Sequence, residues 1–103
     1  MLKYCCLLIF ILLLALNDNY SQHIVKFAAI SDYGRWYTPG EALVSQMVHD
    51  MNPDFIITLG DNNYEYGADS TIDSNIGQFY HDYIFPYTGN FGTGAPFNKF
   101  FPA

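Results

Sequence analysis

The sequence is poor in basic residues: 4 Lys and Arg stand against 10 Asp and Glu, giving a net charge of −6 over 103 residues. Neutralising nucleic-acid phosphates needs clustered Lys and Arg, so this balance argues against nucleic acid as a partner. Cysteine is nearly absent too. The 2 in the chain, Cys5 and Cys6, both fall in an N-terminal apolar run and would leave with it on processing. Residues 22–103 would then have no disulfide framework and would depend on core burial or bound metal. Charged residues make up 14% and hydrophobic ones 50%, a composition too apolar for wholesale disorder. The length bounds the chain to one small domain or part of a larger one. Aromatics are the abundant class: 9 Tyr and 9 Phe exceed what a small core needs.

Lys3 precedes an unbroken apolar run from Tyr4 to Leu16, followed by the charge-poor stretch from Asn17 to Gln22. That order reads as a secretory signal peptide over residues 1–21, which implies a secreted, extracellular or lumenal protein. The run is shorter than the roughly 20 residues needed to cross a bilayer, so no stable membrane anchor is expected. Asn19-Tyr20-Ser21 matches the N-glycosylation pattern but touches the expected cleavage site.

Ile24 to Ile30 is apolar apart from Lys26 and ends at Ser31-Asp32-Tyr33-Gly34, which suits a strand covered on both faces. Thr38-Pro39-Gly40-Glu41 reads as a helix start, with Thr38 capping, Pro39 in the first turn and Glu41 completing a capping box. Leu43, Val44, Met47, Val48 and Met51 recur at helical spacing, and Asn52-Pro53 stops the helix. A second apolar run from Asp54 to Leu59 ends at Gly60-Asp61-Asn62-Asn63-Tyr64. Strand, helix and strand make a βαβ unit with parallel strands, so Asp32 and Asp61 are expected together at the carboxyl edge, where α/β sheets bind ligands. Ser70 to Ile84 is expected to form a second amphipathic helix through Ile72, Ile76, Phe79, Tyr80 and Tyr83, with Gly77 weakening it by about 1 kcal/mol. Residues 87–103 read as a loop ending in the aromatic segment Phe97 to Phe101.

Two carboxylates and a phenol at adjacent strand ends suit a hard cation, because oxygen donors favour Mg, Mn or iron over softer metals. Tyr64 lies close enough to Asp61 in sequence for both side chains to reach one centre. A ligating phenolate calls for a strong Lewis acid such as ferric iron, since free Tyr ionises near pH 10. Taken singly, an Asp in a strand-end loop is often only a turn former, and a loop Tyr is most often a packing residue. The joint placement is what points to a site. His23 precedes the first strand, while His49 and His81 fall within helical patterns. All three read as surface or packing residues rather than ligands. Arg35 is a lone cation beside the first motif, able to pair with phosphate but in a position where such groups are usually solvated.

Ser31-Asp32-Tyr33-Gly34 resembles the first motif of calcineurin-like metallophosphoesterases in the purple acid phosphatase form, where Asp-x-Gly replaces Asp-x-His. Gly60-Asp61-Asn62-Asn63-Tyr64 is similar to that form's second motif, Gly-Asp-x-x-Tyr. The departures are coupled: Gly34 removes a His ligand and Tyr64 offers a phenolate in its place. Tyr66 to Tyr83 also resembles the loop and helix that follow in tartrate-resistant-type acid phosphatases, so the resemblance runs from about Lys26 to Ala103. It implies an α/β fold in which 22–103 is the N-terminal βαβα part of a metallophosphoesterase-type β-sandwich flanked by helices, an incomplete domain. It further implies a dinuclear centre of Fe(III) plus Fe, Zn or Mn(II), with Asp32 and Tyr64 on the ferric ion and Asp61 bridging the two. The implied reaction is hydrolysis of a phosphomonoester substrate, with hydroxide held by the two metals attacking in line. Three further family motifs, Gly-Asn-His-Asp/Glu, Val-x-x-His and Gly-His-x-His, are missing, so the centre is incomplete and no catalytic residue is expected within this chain.

The leading expectation is therefore the N-terminal fragment of a secreted metal-dependent phosphoesterase. The alternative is a non-catalytic secreted α/β module that binds one cation or a partner through its aromatic, glycine-rich C-terminal half. A membrane-anchored lumenal segment would require the apolar run to stay uncleaved.

Overall fold

Residues 22–35 and 38–103 are described by the structure, a computed structural model. The expected signal segment 1–21, with Cys5, Cys6 and the Asn19 sequon, lies outside the described residues. Among those residues no helix is long and apolar enough to cross a membrane.

The first apolar run forms β1 (Phe27–Ile30) and the second forms β2 (Phe55–Thr58), paired in parallel with Ala28 opposite Ile56 and Ile30 opposite Thr58. Between them runs α1 (Pro39–Met51), so the expected βαβ unit is present. Asn52 ends α1 in the left-handed conformation, φ 45°, with its N–H donating to His49 O, and the buried Pro53 follows. After the second loop the chain enters a helical segment, 69–83, whose winding changes along its length. It comprises α2 (Asp69–Ile72), a π-helical stretch Asp73–Gly77, α3 (Gln78–Tyr80) and a 3-10 turn His81–Tyr83. The chain then returns to the sheet as β3 (Phe100–Phe101), parallel to β2, with Phe100 opposite Ile56 and Phe101 opposite Ile57. The result is a small mixed α/β domain with a three-stranded parallel sheet in the order β1-β2-β3.

Alternation along the strands gives the sheet two different faces. Ala28, Ile30, Ile56 and Phe100 point to one side and form the core with Val48 of α1 and Ile76, Tyr80 and Tyr83 of the helical segment. Tyr33 completes it, packed edge-on against Tyr80 at 6.0 Å. The opposite face has a row of aromatic rings: Phe27 stacks on Phe55 at 5.5 Å, and Phe55 meets Phe101 edge-on at 6.0 Å. Phe27 is 53% exposed. The expectation of a strand covered on both faces is thus corrected: among the described residues both helical segments pack on the same side.

Helix α1 departs from its expected orientation as well. Glu41, Ser45 and Val48 are its buried positions, whereas Leu43, Val44, Met47 and Met51 are exposed. Hydrogen bonds explain the rotation. Ser45 Oγ donates to Phe79 O at 3.2 Å and His49 Nε2 to the same carbonyl at 2.8 Å, while the His49 ring lies 5.5 Å from Tyr83. The capping box does not form either: Thr38 Oγ1 donates to Arg35 O, and Glu41 turns toward the loop after β1.

The segment expected to be loop throughout is anchored at both ends. Asp73 accepts hydrogen bonds from Tyr87 Oη at 2.6 Å and from Asn90 N and Nδ2 at 2.9 and 3.0 Å. Gly77 stands where a Cβ would strike the Asp73 carboxylate and the Tyr87 ring, which accounts for a glycine inside the helical segment. Lys99 N donates to Tyr83 O and Ile56 N to Lys99 O, both at 2.8 Å, drawing the aromatic segment alongside β2 as a third strand.

Candidate metal centre

Parallel pairing of β1 and β2 brings the two acidic loops to one edge, and backbone contacts continue beyond the strands. Leu59 N donates to Ile30 O at 2.8 Å, Tyr33 bridges Asn62, and Tyr64 N donates to Gly34 O at 2.9 Å. Asp32, Asp61 and Asn63 all adopt left-handed backbone, with φ of 52°, 53° and 56°. Short polar side chains tolerate that region better than most residues. Gly34 is required for two reasons. Its φ is +85°, and a Cβ there would lie 2.6 Å from the Asn63 backbone nitrogen.

The loops meet through side chains as well. Tyr64 Oη donates to Asp32 Oδ1 at 3.1 Å, and Ser31 Oγ donates to Asp32 Oδ2 at 3.2 Å. The Arg35 guanidinium sits over the Tyr64 ring, 4.6 Å from its centroid, and approaches Glu65 at 4.0 Å. Partial desolvation, the hydrogen bond to Asp32 and the negative fields of Asp32 and Asp61 raise the Tyr64 phenol above its ordinary pKa, and Arg35 opposes them. The Tyr64 phenol therefore feels both carboxylates. Negative charge gathered around a reluctant phenol is the setting in which a bound cation would displace the phenol proton.

Sequence reasoning missed the residues that hold these loops. Glu41, 6% exposed, accepts from Gly34 N–H through Oε2 at 3.0 Å. Burial raises its carboxyl above the ordinary range, an effect that the Gly34 and Arg35 N–H groups moderate. In the second loop Asn63 is buried; its Nδ2 donates to Ala68 O, and its Oδ1 accepts from Thr71 Oγ1 and Asn75 Nδ2, each at 2.9 Å. Asn75 also donates to Tyr64 O at 2.8 Å, tying the end of the motif to the helical segment. A polar residue in the middle of an apolar helical pattern, such as Asn75, was the one signal available.

The donor set suits a hard cation but not a complete dinuclear centre. Among the described residues no group of three or more His, Cys, Asp or Glu side chains could hold a metal ion, so the candidate rests on Asp32, Asp61 and the Tyr64 phenol. The histidines stand elsewhere: His23 is exposed, His49 packs between the helical segments, and His81 lies against Tyr87 with Nδ1 donating to Gly77 O. A separate half-open cavity of about 630 Å³, bounded by Tyr33, Ile76, Tyr87 and Phe100 among others, contains none of the three candidate ligands in its wall. No family model, curated protein or solved structure matches the chain.

Proposed function

We propose that this chain is part of a secreted, metal-dependent phosphoesterase of the calcineurin-like type, in the purple acid phosphatase form, hydrolysing phosphomonoesters. On this reading residues 22–103 supply the N-terminal βαβα part of a β-sandwich flanked by helices. The observation that carries the reading is the contact between Tyr64 Oη and Asp32 Oδ1, made across two loops at the carboxyl ends of adjacent parallel strands. Tyr87 also donates to a carboxylate, at Asp73, but it does so away from the strand ends, whereas Tyr64 does so beside a second acidic loop.

Asp32 and Tyr64 would hold ferric iron, and Asp61 would face a second divalent ion, Fe, Zn or Mn. Such an ion pair supplies charge neutralisation at a phosphoryl group and an activated nucleophile. The chain's own residues bind and orient: the left-handed loop backbones present the two carboxylates, and Arg35 lies over the phenol ring, where its positive charge favours the ionised form. Second-site and leaving-group histidines have no counterpart here, so metal binding rather than turnover tests the reading. Ferric iron added to the full chain should give a visible phenolate-to-iron absorption that Tyr64→Phe abolishes, and Asp61→Asn should weaken metal binding. An unchanged visible spectrum in Tyr64→Phe would remove Tyr64 from the site.

A non-catalytic module is the second reading, favoured by the confinement of the donor set to two carboxylates and one phenol. It calls for one cation per chain, whereas the phosphoesterase reading calls for a second, weaker site at Asp61.

A further inference from the structure

Glu41 is left unused by the proposed chemistry, and among the described residues it is the one buried acidic side chain. A carboxylate inside a protein is costly unless donors surround it. Here they are backbone groups of the first loop: Gly34 N–H at 3.0 Å and the N–H of Arg35. Oε1 has no hydrogen-bond partner among the described residues, so the strap is made through Oε2. The carboxylate rides in the first turn of α1, where the helix dipole favours negative charge. The other end of that support is fixed as well, since Ser45 and His49 tie α1 to Phe79 O.

These bonds form a continuous line of restraint. From α1 it passes through Glu41 to Gly34, and from Gly34 O to the backbone N–H of Tyr64. Gly34 lies two residues from Asp32, and its φ of +85° is the bend that sends the loop back toward Asn63. Unheld, a glycine at that bend would have many conformations open to it.

We propose that Glu41 is the positioning residue of the candidate metal centre: by holding the Gly34 and Arg35 amides it fixes the first loop so that Asp32 and Tyr64 face one cation. The proposal rests on the metal-centre reading and adds to it a residue outside both motifs. A hold of this kind, a buried hydrogen bond from backbone N–H to a side-chain acceptor, is worth up to about a tenfold change in loop opening.

The test compares the full wild-type chain with Glu41→Gln, which keeps one acceptor oxygen for the loop amides, and Glu41→Leu, which keeps none. Amide hydrogen exchange is read at Gly34 and Arg35, with Ile56 in the sheet centre as the control for global stability. Glu41→Leu should speed exchange at Gly34 and Arg35 by about tenfold while Ile56 moves far less, and it should weaken ferric binding by a similar factor. Glu41→Gln should restore both. Should Glu41→Leu fail to fold, Glu41→Asp takes its place, one methylene short of the loop and expected to loosen Gly34 where Gln does not. Equal acceleration at Gly34 and Ile56, or failure of Gln to rescue, overturns the proposal by making Glu41 a general core residue. Loosened Gly34 with unchanged ferric affinity overturns it too. Absence of any ferric absorption in the wild type instead sinks the metal reading itself, and the exchange data then show separately whether Glu41 holds the loop.

Discussion

Among the described residues two tyrosine–aspartate pairs are hydrogen-bonded, and they are built differently. Asp73 accepts three hydrogen bonds, one from Tyr87 Oη at 2.6 Å and two from Asn90. The Tyr87 hydrogen bond, ahead of the Asn90 donors and His81, holds its carboxyl below the ordinary range against some desolvation. Asp32 meets Tyr64 at a longer 3.1 Å on an exposed strand-end loop, with Asp61 adding a second negative field and Arg35 over the ring. The first pair joins a loop to a helix through both carboxylate oxygens. Surplus negative charge remains around the second. Residue type alone does not separate a structural pair from the proposed ligand pair; the donors and charges around each carboxylate do.

The sharpest way to break that comparison is a paired substitution. Tyr64→Phe should eliminate the ferric absorption entirely, whereas Tyr87→Phe should leave it intact and lower the midpoint of urea unfolding. Loss of the absorption in both variants would mean that the distinction is false. Next in size are the glycines beside each pair. Gly34→Ala forces a left-handed φ and a collision with Asn63 backbone, an expected loss of about 3 kcal/mol in urea denaturation. At Gly89 an added Cβ strikes the Asp73 carboxylate and the Tyr87 hydroxyl, so room is made only by breaking that hydrogen-bonded pair, and Gly89→Ala should cost about 2 kcal/mol.

Acid and base should affect the two regions in opposite senses. Asp73 has a folded pKa below its ordinary value, so its contribution is present above that value and is lost as pH falls through the folded pKa. Glu41 has a raised one, so its contribution is complete below the ordinary carboxylate pKa and is lost as pH rises through the folded value. The protection factor of the Asn90 amide, the ratio of the unfolded chain's exchange rate to its own at the same pH, should therefore fall in acid, and Asp73→Asn should flatten that dependence. Glu41→Gln should flatten the opposite trend in overall stability near and above the ordinary carboxylate range. The smallest effect is expected at the exposed stripe of α1, where Leu43→Gln should change stability by less than about 0.5 kcal/mol. A loss several times larger would restore the orientation that the apolar spacing predicts.

That last case shows where the sequence was readable. Two apolar runs, an Asn-Pro stop and acidic residues just past each run are local signals, and β1, α1, β2 and the placing of both acidic loops at one sheet edge follow from them. The facing of α1 is not local. Its exposed Leu43 and Met47 fit the apolar pattern better than its buried Glu41 and Ser45, yet the latter have partners in Gly34 and Phe79 that only the folded chain supplies. Strand β3 was equally hidden, because two residues among Gly, Pro and Asn become a strand only by pairing with the centre of β2. Asn63 and Asn75 acquire their role only in the folded chain, through a mutual hydrogen bond spanning 12 residues.

The aromatic row of Phe27, Phe55 and Phe101 has a consequence for colloidal behaviour. A patch of stacked rings beside a short parallel edge strand invites sticky encounters between molecules, and mutual charge repulsion is what opposes them. That repulsion vanishes near the isoelectric point of about 4.5. Mildly acidic solutions are therefore where the chain should cloud first, and Phe27→Lys, which puts a cation into the row, should move the onset of turbidity.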